Sequence, residues 1–386
     1  MELLEACELI VDCPHSTAKD EGEGYPLIRT PNVGRGRLIL DNVHRVSESV
    51  YHKRNERAVP QEDDLILARE APVGNVAIIR QGQNVCLGQR TVLIRPDRNI
   101  VDPEYLVYYL LSPGIQHVLL NSANGATVSH LNMSDIRKLE ISLPPLIIQR
   151  IIGQTLSSID DKIAINAKIN QNLYDQLTAY YNYLFSNLDG SLTVSDLSIN
   201  VFSGGTPSTS NETYWNGEYY WLSSGETSER FIPSTIKTIT KAGIDNSSTR
   251  KAEKYDIVIA SAGQGHTRGQ TSMLLTDSYV NQSIIVVHAT KAYLPYLFWN
   301  ISNRYEELRV ISNSNSIRGS LTTKMINSLS IPKANENDIK AFSEYAWPII
   351  FNIENNLLEN MKLAGMRDVL LPKLMSGELD VSEIKV

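Results

Sequence analysis

Hydrophobic positions along this chain fall into two textures that alternate. Over residues 1–144 they come in short β-branched runs, such as LILARE at 65–70, NVAII at 75–79 and TVLIRP at 91–96, broken by Gly, Pro, Asn and Ser. Residues 190–333 repeat the texture with DIVIASA at 256–262 and SIIVVHA at 283–289. Such runs predict short strands in mixed globules, with a helical patch near paired tyrosines in each. Residues 145–189 and 334–386 lack these turns and carry a helical period, with proline near each start marking a helix boundary. The expected order is globule, helix, globule, helix.

The two globules are one pattern used twice. Asp64–Ala68 recurs as Asp256–Ala260 at an offset of 192, and Gln89 matches Gln282 at 193. Tyr105 falls on Tyr296 and Tyr108 on Trp299, at 191. Leu131, Ile136, Leu139 and Ile141 return as Leu321, Ile326, Leu329 and Ile331, at 190. One match could be chance, but a near-constant offset kept in one order points to duplication.

In heptads, the first helix places Gln149, Leu156, Ile163, Asn170, Leu177 and Leu184 at one core position, and Ile152, Ile159, Asn166, Leu173 and Tyr180 at the other. The second places Ile339, Ala346, Ile353, Asn360 and Arg367, then Phe342, Ile349, Asn356, Leu363 and Leu370. Either each helix covers its own globule, or the two pack together, and connectivity makes such a pair antiparallel. The register that sets Asn166 opposite Asn360 also sets Asn170 opposite Asn356. Buried asparagines need polar partners, so these layers would fix register. A helix of about 40 residues is a rod of roughly 60 Å. Two related but non-identical modules on such a rod would suit two different DNA half-sites at a fixed gap.

Composition narrows the classes. The 386 residues are 42% hydrophobic, enough for two or more cores, and carry a net charge of −7, which excludes a generally basic nucleic-acid binder. Cys7, Cys13 and Cys86 form neither a disulfide framework nor a zinc knuckle. The first residues, MELLEACELIVDC, carry acids where a signal peptide needs bases, and no apolar run reaches 18 residues. A soluble, cytoplasmic protein is expected, with no membrane partner.

Catalytic patterns are sparse. There is no Asn/Asp-Pro-Pro-aromatic tetrapeptide for methylating a flipped base. The loop GQGHTRGQ at 263–270 fits neither dinucleotide nor P-loop spacing and reads better as a DNA-contacting turn. GGTP at 204–207 is a tight turn. The pair Asp160-Asp161 is expected on a solvated helix face, and the seven histidines show no metal spacing.

Charge is nevertheless uneven. By segment it is −4 for 1–144, −1 for 145–189, +2 for 190–333 and −4 for the remainder. Residues 29–57 hold seven basic side chains against three acids, and 230–254 form a comparable stretch. Cations supply phosphate affinity and arginine reads guanine, so the DNA-binding candidates come from these stretches. In the first globule they are Arg29, Thr30, Asn32, Arg35, Arg37, Arg45, Lys53 and Arg54. In the second they are Ser223, Ser224, Arg230, Lys237, Lys241, Arg250, His266, Arg268 and Arg318.

Three motifs carry a resemblance. RDVLLPKLMSGEL at 367–379, YPLIRTPNV at 25–33 and ISLPPLIIQR at 141–150 resemble the specificity subunit of type I restriction-modification systems. The resemblance covers nearly the whole chain; the second helix departs from it, starting IPKANENDIK where the first has Pro-Pro-Leu-x-x-Gln. It implies an α+β fold: two similar target-recognition domains (1–144 and 190–333) separated by two long antiparallel coiled-coil helices (145–189, and 334–386 with the tail), as a pseudo-two-fold duplication. Each domain would read one half of a bipartite, asymmetric site on double-stranded DNA. The helices would set the gap and dock two methyltransferase subunits, with restriction/translocase subunits joining them. The chain would be non-catalytic and hold no cofactor, S-adenosylmethionine, ATP and magnesium belonging to the partners. A specificity module of a fused methyltransferase-nuclease and a duplicated protein-binding scaffold are the alternatives.

Overall fold

The structure, a computed structural model, describes residues 1–123, 130–188, 191–263, 265–313 and 319–381. The chain divides into two units, Met1–Ala164 with Met361–Val386, and Ile165–Asn360. Two helices pass through both units: the helix Leu146–Phe185, of 40 residues, and the helix Glu336–Ser376, of 41.

In the first unit the elements are β1 (Cys7–Asp12), β2 (Tyr25–Ile28), β3 (Gly36–Arg37), β4 (Arg45–Val46), α1 (Glu48–Arg54), β5 (Leu65–Ala68), β6 (Val76–Ile78), β7 (Cys86–Leu87) and β8 (Thr91–Pro96). Helices α2 (Pro103–Leu111), α3 (Pro113–Ser122), α4 (Met133–Arg137) and the long α5 (Leu146–Phe185) follow. A five-stranded sheet runs β1-β8-β5-β6-β3. Side chains alternate across a strand, and β5 is covered on both faces. Leu65 and Leu67 enter a core with α2, while Ile66 and Ala68 enter a second core with Ile28 and Leu87. This explains why LILA is apolar without alternation. The first core also takes Ile151, Ile152 and Leu156 of α5, and Leu371 and Leu374 from the C-terminal helix. A smaller sheet, β4-β2-β7, stands beside it, with β2 parallel to β7.

In the second unit come β9 (Ser191–Thr193), α6 (Val194–Leu197), β10 (Ser198–Ser203), β11 (Trp215–Leu222), β12 (Phe231–Ile232), β13 (Lys237–Ile239), α7 (Lys241–Asp245), β14 (Arg250–Ala252), β15 (Ile257–Ala260), β16 (Thr271–Leu274), β17 (Ser278–Val280) and β18 (Ile284–Ala289). Then follow α8 (Leu294–Ser302), α9 (Tyr305–Asn313), α10 (Thr323–Asn327), β19 (Ser330–Pro332) and the long α11 (Glu336–Ser376). Its five-stranded sheet runs β10-β18-β15-β16-β12, the order of the first unit strand for strand. Ile257 and Ile259 face one core and Val258 another, as in β5. The second sheet, β13-β11-β17-β14, again pairs a parallel couple, β11 with β17. The mixed, duplicated α+β fold expected from the sequence is present.

The two expectations for the long helices are each met in part. Each helix contributes apolar residues to both units' cores: α5 supplies Tyr174, Leu177, Tyr181 and Phe185 to the second, and α11 supplies Ile339, Phe342, Ala346, Ile350 and Ile353. Tyr174, Tyr181 and Phe185 lie off the heptad seam, on the face turned to the globule. Seam residues pack on the globules as well, Ile152 and Leu156 in the first unit and Leu177, Ile339, Phe342, Ala346 and Ile353 in the second.

Candidate nucleic-acid interface

Each unit places its parallel strand directly before a single 3-10 turn. Strand β2 leads through Arg29 into Thr30–Asn32, and β11 leads through Ser223 into Ser224–Glu226. A side chain three residues on closes each turn by accepting from the backbone N–H before it: Asn32 Oδ1 from Arg29 (3.2 Å), and Glu226 Oε1 from Ser223 (3.1 Å). Asn32 also donates Nδ2–H to the Ile39 carbonyl at 3.2 Å, and Thr30 and Asn32 are buried. The Ser223 hydroxyl donates to Glu226 Oε1 at 3.0 Å, and the Ser224 carbonyl accepts from Thr227. The Asn32 and Ser223 side chains thus build the turns rather than standing free above them.

The cations divide by exposure. Arg35, Lys53, Arg230, Lys237, Lys241, Arg250 and His266 are exposed, while Arg29, Arg37 and Arg45 are half-buried. Arg35 leans on the Leu111 carbonyl (3.3 Å) and Arg45 on that of Gly24 (2.7 Å). In the second unit, Lys237 and Arg250 stand on the two edge strands of the four-stranded sheet, with Lys241 on α7 beside them. Lys237 lies 5.5 Å above the Trp215 ring, Arg250 lies 4.0 Å above Phe202, and Lys241 pairs with Asp245 at 2.7 Å.

Several expectations are corrected. Arg54, expected among the exposed cations, is 6% exposed and its guanidinium donates to the carbonyls of Leu87, Ser16 and Pro14. Arg268 is 8% exposed and donates to the Gly319 carbonyl and to Asn313, holding its loop from beneath. Arg230 keeps its exposure while stacking 4.0 Å over Tyr174 and bonding Gln171, both on α5. Arg37 pairs with Asp161 of α5, and burial, with Arg80 beside it, holds its pKa below the usual arginine value. Arg318 lies outside the described residues. Asp160, expected in solvent with Asp161, is 5% exposed: it accepts from the Tyr108 hydroxyl and from Arg367 Nη1, each at 2.7 Å. Burial first, and the Asp160 charge second, push the Tyr108 hydroxyl's pKa well up.

The sequence reading also missed two matched buried carboxylates and an aromatic surface. Asp64 and Asp256, each 2% exposed, occupy equivalent starts of β5 and β15. Asp64 takes Arg95 of β8 at 2.8 Å; Asp256 takes His288 of β18 at 2.7 Å. Both carboxylates also accept a backbone N–H three residues earlier, from Gln61 and Glu253, at 2.8 Å. Exposed Tyr219 and Tyr220 of β11 join Tyr279 and Lys251 around a cleft of about 250 Å³.

On the helices, Asn166 donates Nδ2–H to Asn360 Oδ1 (2.9 Å) and to Glu359 Oε2 (2.7 Å). Asn356 donates to Asn170 Oδ1 (2.8 Å), and Asn170 to the Ile353 carbonyl (3.3 Å). Rising numbers on α5 meet falling numbers on α11, so within the second unit the helices are antiparallel.

Residues 8–174 and 193–342 match the family model for the type I restriction modification DNA specificity domain. The chain belongs to this family. The two matches each begin in a globule and run into the long helix that follows it, so the family unit is the repeat itself. Among similar proteins, one of Methanocaldococcus jannaschii, named as a type I restriction enzyme specificity subunit, is 28% identical over 162 residues, which cover 42% of this chain and 35% of that protein. The EcoBI specificity subunit of Escherichia coli is 23% identical over 233 residues, covering 60% of this chain and 45% of that one. The chain thus spans less than half the length of these two relatives. The S subunit of a type I restriction-modification system from M. genitalium shares the fold, with a TM-score of 0.63 at 16% identity over 97% of this chain and 95% of that one.

Among the described residues no group of three or more His, Cys, Asp or Glu is placed to hold a metal ion, and no helix is long and apolar enough to cross a membrane.

Proposed function

We propose that this chain is the DNA-recognition subunit of a type I restriction-modification complex, each globule reading one half of a bipartite, asymmetric site. The observation that carries this is the duplicated frame with different contents. Beside five-stranded sheets of identical strand order, the smaller sheet of each unit presents a parallel strand and a 3-10 turn, yet the first unit offers Arg29, Arg35 and Arg45 where the second offers Lys237, Lys241, Arg250 and exposed tyrosines. Two related frames with unlike side chains suit two unlike half-sites. Residues 1–144 and 190–333 are the recognition domains in this reading, and 145–189 and 334–386 are the spacers.

The helices would set the gap between half-sites and dock two methyltransferase subunits. Exposed Ile165, Ile169 and Leu358 in the second unit, and Met366 and Val369 in the first, supply apolar surface for such partners. Restriction/translocase subunits would complete the assembly. S-adenosylmethionine, ATP and magnesium would enter with those partners, this chain contributing the address and no catalysis, in the cytoplasm.

Methylome mapping of cells carrying this subunit with its methyltransferase tests the reading. A bipartite motif with an invariant gap is expected. A continuous motif, or methylation independent of this chain, would overturn it.

A further inference from the structure

Arg54 poses an electrostatic problem that its hydrogen bonds do not solve. Its three nitrogens donate to carbonyls, at 2.6 Å to Leu87, 3.0 Å to Ser16 and 3.5 Å to Pro14, yet carbonyls satisfy donors without cancelling charge. A cation buried without an anion is costly, and burial depresses this guanidinium's pKa. The side chain forms part of a cleft of about 560 Å³ between residues 14–19 and α1. Lys19, Lys53 and Arg57 line the same cleft, with Glu56 as the carboxylate on its wall. Lys19 and Lys53 are exposed and form no ion pair among the described residues. Four cations thus line one hollow, Arg57 held there by the Asp12 and Cys13 carbonyls, in a chain whose net charge is −7.

The cleft is also tied to the candidate reading turn. Ala18 and Val50, on its lining, pack with Leu27 of β2, Val46 and Cys86 in one small core. Strand β2 runs from that core straight into Arg29 and the 3-10 turn. An anion seated in the cleft would therefore stand in a set position relative to that turn. In the second unit the stretch after β10, GGTPSTS at 204–210, contains no cation to match Lys19.

We propose that this cleft seats a backbone phosphate of DNA beside the half-site read by the first unit, anchoring the duplex without reading its bases. The proposal rests on the DNA-recognition reading above. Phosphate contacts position a protein on the duplex and carry no sequence information of their own.

The test uses the full chain assembled with its methyltransferase subunits, comparing wild type with the Lys19→Ala/Lys53→Ala double variant and leaving the buried Arg54 intact. Affinity is measured for the cognate duplex and for a scrambled one between about 50 and about 200 mM salt. The slope of log affinity against log salt should become shallower by about 1 in all, for the single phosphate lost, with the same fold-loss on both duplexes. An unchanged slope, or a loss confined to the cognate duplex, overturns the proposal. In a second arm, inorganic phosphate at constant ionic strength is titrated against the thermal midpoint. Stabilisation of wild type but not of the variant, with an unchanged DNA slope, would assign the cleft to a free anion and also overturn it. If wild type itself fails to prefer the cognate duplex, the DNA-recognition reading fails instead, a result separate from either arm.

Discussion

Asn166 on α5 and Asn360 on α11 share a hydrogen bond of 2.9 Å, and one helical turn away Asn356 returns the arrangement to Asn170 at 2.8 Å. A one-heptad slip would set the asparagines against isoleucines in one direction and mostly leucines in the other, leaving the buried Asn166 amide without its partner Asn360, so the pairs penalise those registers. Asn166→Ala is expected to cost about 1–3 kcal/mol, because Asn360 and Glu359 lose a donor. Replacing Asn166 and Asn360 together by leucine should cost less than the single change, or stabilise, while broadening the set of gap lengths methylated. Denaturant unfolding and methylome mapping of the double variant check the two halves of this prediction. A double variant with lower stability than Asn166→Ala would show that the pair does not act by excluding registers.

The matched carboxylates predict an asymmetry between repeats. Arg95→Ala strands the Asp64 carboxylate at 2% exposure, and the expected loss is about 3–5 kcal/mol in the first unit. His288→Ala should cost less at neutral pH, because histidine, unlike arginine, is not obligately charged there. Comparing the two variants by urea titration at pH 7 distinguishes them; equal losses would mean the charge of Arg95 is immaterial.

Arg367 of α11 reaches Asp160 of α5 in the first unit, where Tyr108 supplies the second hydrogen bond. Arg367→Met should destabilise the chain by about 3 kcal/mol, by leaving a buried carboxylate with a neutral donor as its partner. Adding Asp160→Asn to that variant should recover much of the loss. A double-mutant cycle in denaturant measures the coupling, and additive effects would contradict the buried pair.

Lengthening α5 and α11 by one matched turn each adds about 6 Å of helix, roughly two base-pair steps. Methylation should move to a site with a wider gap and unchanged half-sites. Altered half-site sequences would refute the division of labour between globules and helices.

Thiol chemistry gives a prediction in pH. Burial pushes the Cys86 thiol up to about 11 and, helped by Asp97, Cys7 up to about 12, and burial also raises Cys13. The thiolate is the reactive form, so at pH 8 about one Cys86 in a thousand is available. Iodoacetamide should label the native chain slowly at pH 8, faster as pH rises toward 11, and all three cysteines rapidly once unfolded, as read by intact mass. Rapid labelling of Cys86 in the native state would contradict its burial.

Much of the fold could be read from the chain because its signals are local. Asp64–Ala68 and Asp256–Ala260 declare both a strand and its duplicate, and the structure adds that they occupy the same place in sheets of the same order. Heptad positions 166, 170, 356 and 360 also stand out, since a polar residue on an apolar seam is visible without knowing its partner. Individual roles were less legible. Arg54 and Lys53 are neighbours in one basic run, yet one is buried under carbonyls and the other is in solvent. Asp160 and Asp161 look like one exposed acidic pair, yet a turn of 100° separates them around the helix and sends Asp160 toward Tyr108.

By itself, then, the sequence determined the repeat, the strand and helix textures, the seam and the family, all carried by periodicity and by spacings between near residues. Tertiary structure alone decided which cations of each basic run face solvent, which carboxylates are enclosed, and how four of those cations come to line one cleft. Burial depends on what arrives from distant parts of the chain, as Leu87 and Ser16 arrive at Arg54, and no local pattern records that arrival.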